Sequence, residues 1–132
     1  METKEKQYNS IMKPNKMIAI FIAVLLVIVI GYIAYGKYKD SNISKLSLCL
    51  TEKKVVFYGA DWCPNCKIQK ELFGKHFSNI DYVECNLDHS LPMEEICVKK
   101  GISRYPTWIQ NDDKKIQGVM KLSTLAKEFG CE

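Results

Sequence analysis

The hydrophobic positions of this chain form one long unbroken block followed by several short ones. From Met17 to Tyr35 every residue is apolar, glycine or tyrosine, and Lys16 and Lys37 bracket the run. As a helix it spans about 30 Å, enough to cross a bilayer. Tyr32 and Tyr35 sit at one end, where amphipathic rings favour the interface. A cleaved signal peptide is the alternative, since Ala34-Tyr35-Gly36 resembles a small-x-small cleavage site. The apolar run, however, exceeds the roughly 7–15 residues usual in such a segment. The expected organisation is a polar tail over 1–16, a transmembrane helix over 17–36, a linker and short helix over 37–53, and one folded domain over 54–132.

Beyond Lys54 the blocks are short and regularly punctuated. Val55-Val56-Phe57-Tyr58, closed by Gly59, reads as a buried strand. Pro64 to Phe77 places Ile68, Leu72, Phe73 and Phe77 at helical spacing, with proline in the first turn where it is tolerated. Asp81 to Cys85 reads as a second strand, and Ser90 to Lys100 as a helix closed by Gly101. Pro106–Ile109 and Lys115–Val119 flank Asn111-Asp112-Asp113, the pattern of a hairpin. Ser123 to Phe129, with Ser123 as the expected cap, forms a last helix. The order β-α-β-α-β-β-α predicts an α/β fold with a mixed sheet and helices on both faces.

Charge and cysteine content narrow the chemistry. The net charge is +4, and the first 16 residues supply half of it, with four Lys against two Glu. The remaining basic residues are scattered, so no nucleic-acid footprint is expected. Six Cys in 132 residues point to redox or metal work and favour an oxidising compartment. Lysines flank the apolar block on both sides, so the positive-inside rule does not orient it. The cysteines place the domain on the extracytoplasmic or lumenal side.

Cys63-Pro64-Asn65-Cys66 falls where the first strand gives way to the first long helix of the domain. Unpaired backbone N–H groups at a helix start favour negative charge and make a thiol there a better nucleophile. Cys63 is therefore the expected attacking residue, and Cys66, one turn in, the resolving one. Zinc sites use the same spacing, but want a second close pair, and Cys85 and Cys97 stand apart without a neighbouring Cys or His. His76 and His89 are lone. No metal and no cofactor are expected. Tyr105-Pro106-Thr107 opens the third strand, where proline demands an explanation; a cis peptide is one and a trans proline in a loop the other. Trp62 is expected to line a substrate groove with Pro64, Asn65, Tyr105 and Pro106, and Trp108 to lie in the core. Cys49 and Cys131 carry no motif; pairing, free thiols and an electron relay all remain open.

Phe57-Tyr58-Gly59-Ala60-Asp61-Trp62-Cys63-Pro64-Asn65-Cys66 followed by Tyr105-Pro106-Thr107 resembles the thioredoxin superfamily over residues 54–130. With Gln69–Gly74, Tyr82-Val83-Glu84-Cys85, Gly101-Ile102 and Trp108 added, the chain looks like the thioredoxin-like domain fused to bacterial and plant vitamin K epoxide reductase homologues. That resemblance implies a thioredoxin-like fold, a redox-active Cys63 and Cys66 pair, a cis Pro106, a structural disulfide between Cys85 and Cys97, and re-oxidation by a quinone-reducing membrane oxidoreductase. The four-helix quinone-binding part of that family is not in this sequence, so the expectation is the redox domain alone on its own anchor. Asn65 stands where many oxidising relatives have His, and Phe57 where thioredoxins carry a buried Asp. A proton acceptor for Cys66 is thus not evident, with Asp61 and Glu84 the candidates. The functional expectation is a membrane-anchored thiol–disulfide oxidoreductase acting on protein thiols or disulfides. The competing class is a membrane-tethered binding or assembly module whose disulfides are purely structural.

Overall fold

The computed structural model describes residues 16–111 and 114–132. The polar tail and the Asp112-Asp113 part of the hairpin turn lie outside the described residues.

Helix α1 runs over Lys16–Glu52, 37 residues, and is long and apolar enough to cross a membrane. Every residue from Lys16 to Lys39 is exposed. The chain divides into two units at Lys39 and Asp40. Residues 37–53, expected as a linker and a short helix, are helical through to Glu52. The Lys-, Ser- and Asn-containing stretch contains no proline, and propensity differences among such residues are too small to end a helix.

In the second unit the strands are β1 (Val55–Gly59), β2 (Asp81–Glu84), β3 (Thr107–Gln110) and β4 (Lys114–Gln117), in the order β2-β1-β3-β4. β1 pairs parallel with β2 and antiparallel with β3, and β3 pairs antiparallel with β4. The helices are α2 (Pro64–Phe73), α3 (Glu95–Lys99) and α4 (Leu122–Phe129), with a 3-10 turn over Gly74–Asn79. Period-two alternation splits the sheet into two apolar faces. Phe57, flanked by Tyr82 and Trp108 in register, packs with Leu46 and Leu50 of α1, Cys66 and Phe73 of α2, and Leu125 and Phe129 of α4. Tyr58 and Ile109 face the other way, onto Cys85, Cys97 and Ile102.

The strand ends shift from the pattern-based expectation by one or two residues, and α2, α3 and α4 each start or stop elsewhere than expected. The helix after β1 stops as an α-helix at Phe73, because Gly74 turns to φ +54° and its N–H bonds the carbonyls of Lys70 and Glu71. The helix expected from Ser90 begins only at Glu95. Asp88 Oδ1 accepts from both the backbone N–H and the hydroxyl of Ser90, Asn86 Nδ2 donates to the Leu91 carbonyl, and Pro92 disfavours helical backbone at Leu91. α4 begins at Leu122, with Lys121 at the cap position and Ser123 inside the first turn.

Candidate functional site

The loop from Gly59 to Cys63 leads the chain from the end of β1 into α2, and Cys63 occupies the helix cap in extended backbone, φ −75° and ψ 118°. Its N–H donates to the Ala60 carbonyl at 3.1 Å, and its Sγ accepts the Cys66 N–H at 3.4 Å. A sulfur thus takes the place a Ser or Asp oxygen commonly fills, over one of the helix's orphan donors. Pro64 is the first helical residue and is exposed, as is Asn65. Cys63 and Cys66 are both free thiols.

Both sulfurs are less open than the sequence suggests. Cys66 is fully buried and Cys63 is 6% exposed; both belong to the main core, against which Trp62 and Tyr105 also pack. Burial pushes the Cys66 thiol up to about 12; the neighbouring Cys63 adds to the rise, while a hydrogen bond to the Ala60 backbone and the charge of Lys70 oppose it. The floor under Cys66 is Gly59: a Cβ there would lie 2.9 Å from Cys66 Sγ, 2.9 Å from Phe57 Cε1 and 3.4 Å from Tyr82 Cε2.

The Tyr105-Pro106 peptide is cis, Pro106 is fully buried, and its carbonyl accepts the Gly118 N–H at 2.8 Å. Tyr105 stands 5.9 Å from the Trp62 ring, and its phenol is raised by burial, then by the charges of Glu84, Cys66 and Cys63. Trp62 is half-buried; it meets His89 edge-on at 4.6 Å and donates its indole N–H to Asn86 Oδ1 at 3.4 Å. Trp108 lies wholly inside the core. His76 bonds Asp40 at 2.8 Å, far from a bare imidazole.

The two carboxylates considered for Cys66 are engaged with other groups. Asp61 holds the Lys70 ammonium at 2.8 Å, which keeps its carboxyl below the usual range. Glu84 accepts the Tyr82 hydroxyl on one oxygen and the Asn86 N–H on the other. Burial and Glu84 together push the Tyr82 phenol up. Sequence reasoning missed Lys70 and Tyr82. Lys70 carries one signal, its position four residues after Cys66 on the same helix face; Tyr82 carries none short of the Phe57–Tyr82 register.

The other four cysteines are paired. Cys85–Cys97 joins the end of β2 to α3 with Cα atoms 5.7 Å apart, and both residues are fully buried. Cys49–Cys131 joins α1 to the segment after α4 at a Cα separation of 5.9 Å. Among the described residues no cluster of His, Cys, Asp and Glu is arranged to hold a metal.

No family model matches the sequence. The chain is similar to thiol-disulfide oxidoreductase LTO1 of Arabidopsis thaliana, with 39% identity over 77 residues. The match covers 55% of this chain and 20% of that protein, so the chain corresponds to about a fifth of the relative's length. It supports an oxidoreductase link for the part of the chain that aligns.

Proposed function

We propose that this chain is a membrane-anchored thiol–disulfide oxidoreductase on a thioredoxin-like fold, exchanging disulfides with protein substrates through Cys63 and Cys66. The observation that carries the reading is the division of labour among the cysteines: four are locked in disulfides, while the remaining two are free thiols side by side at the start of α2. The mixed sheet order, the thiols at the β1 to α2 junction and the cis proline before β3 support the thioredoxin-like fold. The name of the plant relative, a thiol-disulfide oxidoreductase, supports the activity.

In this reading the Cys63 sulfur, with residual exposure and a place at the helix start, attacks a substrate disulfide. Cys66, shielded beneath it, resolves the mixed disulfide and releases the reduced substrate. In the oxidising direction a substrate thiolate attacks Cys63 in the Cys63–Cys66 disulfide. Trp62, Pro64, Asn65 and Tyr105 border the pair and form the substrate groove, with the buried Pro106 beneath it. We take Cys85–Cys97 as a structural disulfide, the redox domain as extracytoplasmic or lumenal, and the re-oxidant as a quinone-reducing membrane oxidoreductase.

The test is disulfide exchange by the full chain in detergent, read as insulin reduction and as oxidation of a reduced test protein. Cys63→Ser is expected to abolish both reactions, and Cys66→Ser to accumulate mixed disulfides with substrate. A wild-type chain inert in both assays would instead favour a tethered binding or assembly module.

A further inference from the structure

Lys70 follows Cys66 by one helical turn, so both side chains leave the same face of α2. Its side chain is only 24% exposed, and the ammonium is fixed on two sides. Asp61 Oδ1 holds it at 2.8 Å, and the Tyr82 ring lies beneath it with the centroid 4.0 Å away, a close cation–π distance. Tyr82 and Cys66 meet over the same backbone atom, since both crowd the space a Cβ on Gly59 would need. A cation, an aromatic face and a buried thiol are therefore neighbours.

The ionisable groups around Cys66 come from three parts of the chain. α2 and its cap supply Cys63 and Lys70, β2 supplies Tyr82 with Glu84 bonded to its hydroxyl, and the segment before β3 supplies Tyr105. Asp61, in the loop before α2, acts on Lys70. The positive charge in this set is that of Lys70, and it opposes the burial that keeps the Cys66 thiol protonated.

We propose that Lys70 is the positioning residue for Cys66: its ammonium, fixed by Asp61 and the Tyr82 ring, stabilises the negative charge that forms on the Cys66 sulfur whenever the pair exchanges. The inference rests on the reading of Cys63 and Cys66 as the exchanging pair. With a substrate sulfur bonded to Cys63, the Cys66 thiol gives its proton to solvent base and the thiolate attacks Cys63 Sγ. The Cys63–Cys66 bond forms as the Cys63–substrate bond breaks, and the electron pair leaves on the substrate thiolate, which takes up a proton. The substrate is reduced by two electrons and the pair is oxidised. In reverse, a substrate thiolate attacks Cys63 and Cys66 departs as the thiolate beside the same ammonium, so one side chain serves both directions.

Ellman's reagent separates the steps in the reduced full chain held in detergent. Attack by Cys63 releases one coloured thiolate, and resolution by Cys66 releases the second. Lys70→Met is expected to slow the second phase about five- to tenfold relative to the first near neutral pH and to displace its rate–pH profile toward higher pH by about one unit. Lys70→Arg is expected to restore both. Asp61→Asn, at an exposed carboxylate, should produce the same change in smaller measure, and it decides the matter if Lys70→Met fails to fold by circular dichroism. A second phase with an unshifted pH profile in the decisive variant, or a defect that Arg does not rescue, overturns the role of Lys70. A wild-type chain that shows no first phase sinks the exchange reading and this inference with it.

Discussion

At the scale of single residues the tightest constraint is Gly59. A Cβ added there would stand 2.9 Å from both Cys66 Sγ and Phe57 Cε1. Neither neighbour has room to retreat, since both are fully buried. Gly59→Ala is therefore expected to cost about 1–3 kcal/mol of stability, the usual penalty for overpacking, measured as a lower urea midpoint. It should also slow the second phase of the Ellman reaction, because the displaced atom is the resolving sulfur. The meeting of Cys63 and Cys66 at a helix start was legible in the sequence because it is local: spacing, helix position and the Pro64 between them all lie within one turn. Lys70 and Tyr82 were not, because their meeting depends on how α2 docks and on which residue of β2 lies beside Phe57. The near-burial of Cys63 was also hidden, since it joins a core assembled from separate segments of the chain.

At the scale of elements, apolar runs and punctuation gave the strands and α2 to within a few residues, because β1 and β3 are short apolar runs buried on both faces and α2 buries one helical stripe. They failed where side chains compete with the backbone. Asp88, Asn86 and Pro92 keep 90–94 out of the helix that hydrophobic spacing reads from Ser90, and α1 continues because nothing in 37–52 stops it. The pairing of Cys49 with Cys131 has no local sign, their separation being 82 residues, against 12 for Cys85 and Cys97. That difference has an energetic consequence. Loop-closure entropy in the unfolded chain gives about 4–5 kcal/mol for the long ring and about 3 kcal/mol for the short one. The double variant Cys49→Ala/Cys131→Ala is thus expected to lower the chemical unfolding midpoint more than Cys85→Ala/Cys97→Ala. Equal losses would mean that native packing around the buried Cys85 and Cys97, and not chain entropy, sets the balance.

At the scale of the whole molecule, the described part of the first unit has no interior of its own. Residues 16–39 are exposed along their whole length, and the apolar side chains of Met17 to Tyr35 point in every direction around the helix. Such a surface in water exceeds by far what soluble proteins leave uncovered. The full chain is therefore expected to stay in the membrane pellet through alkaline carbonate washing and to enter solution only with detergent. Release by carbonate alone would rule out α1 as a spanning helix. In the second unit, the bond between Cys49 and Cys131 turns the backbone from residue 49 to residue 131 into a closed covalent ring. A protease that cuts once anywhere on that ring releases no fragment. The severed strands stay joined through two sulfurs, and a cut between Cys85 and Cys97 is bridged a second time. On a denaturing gel without reductant the nicked chain keeps its full mass, and only reduction separates its pieces.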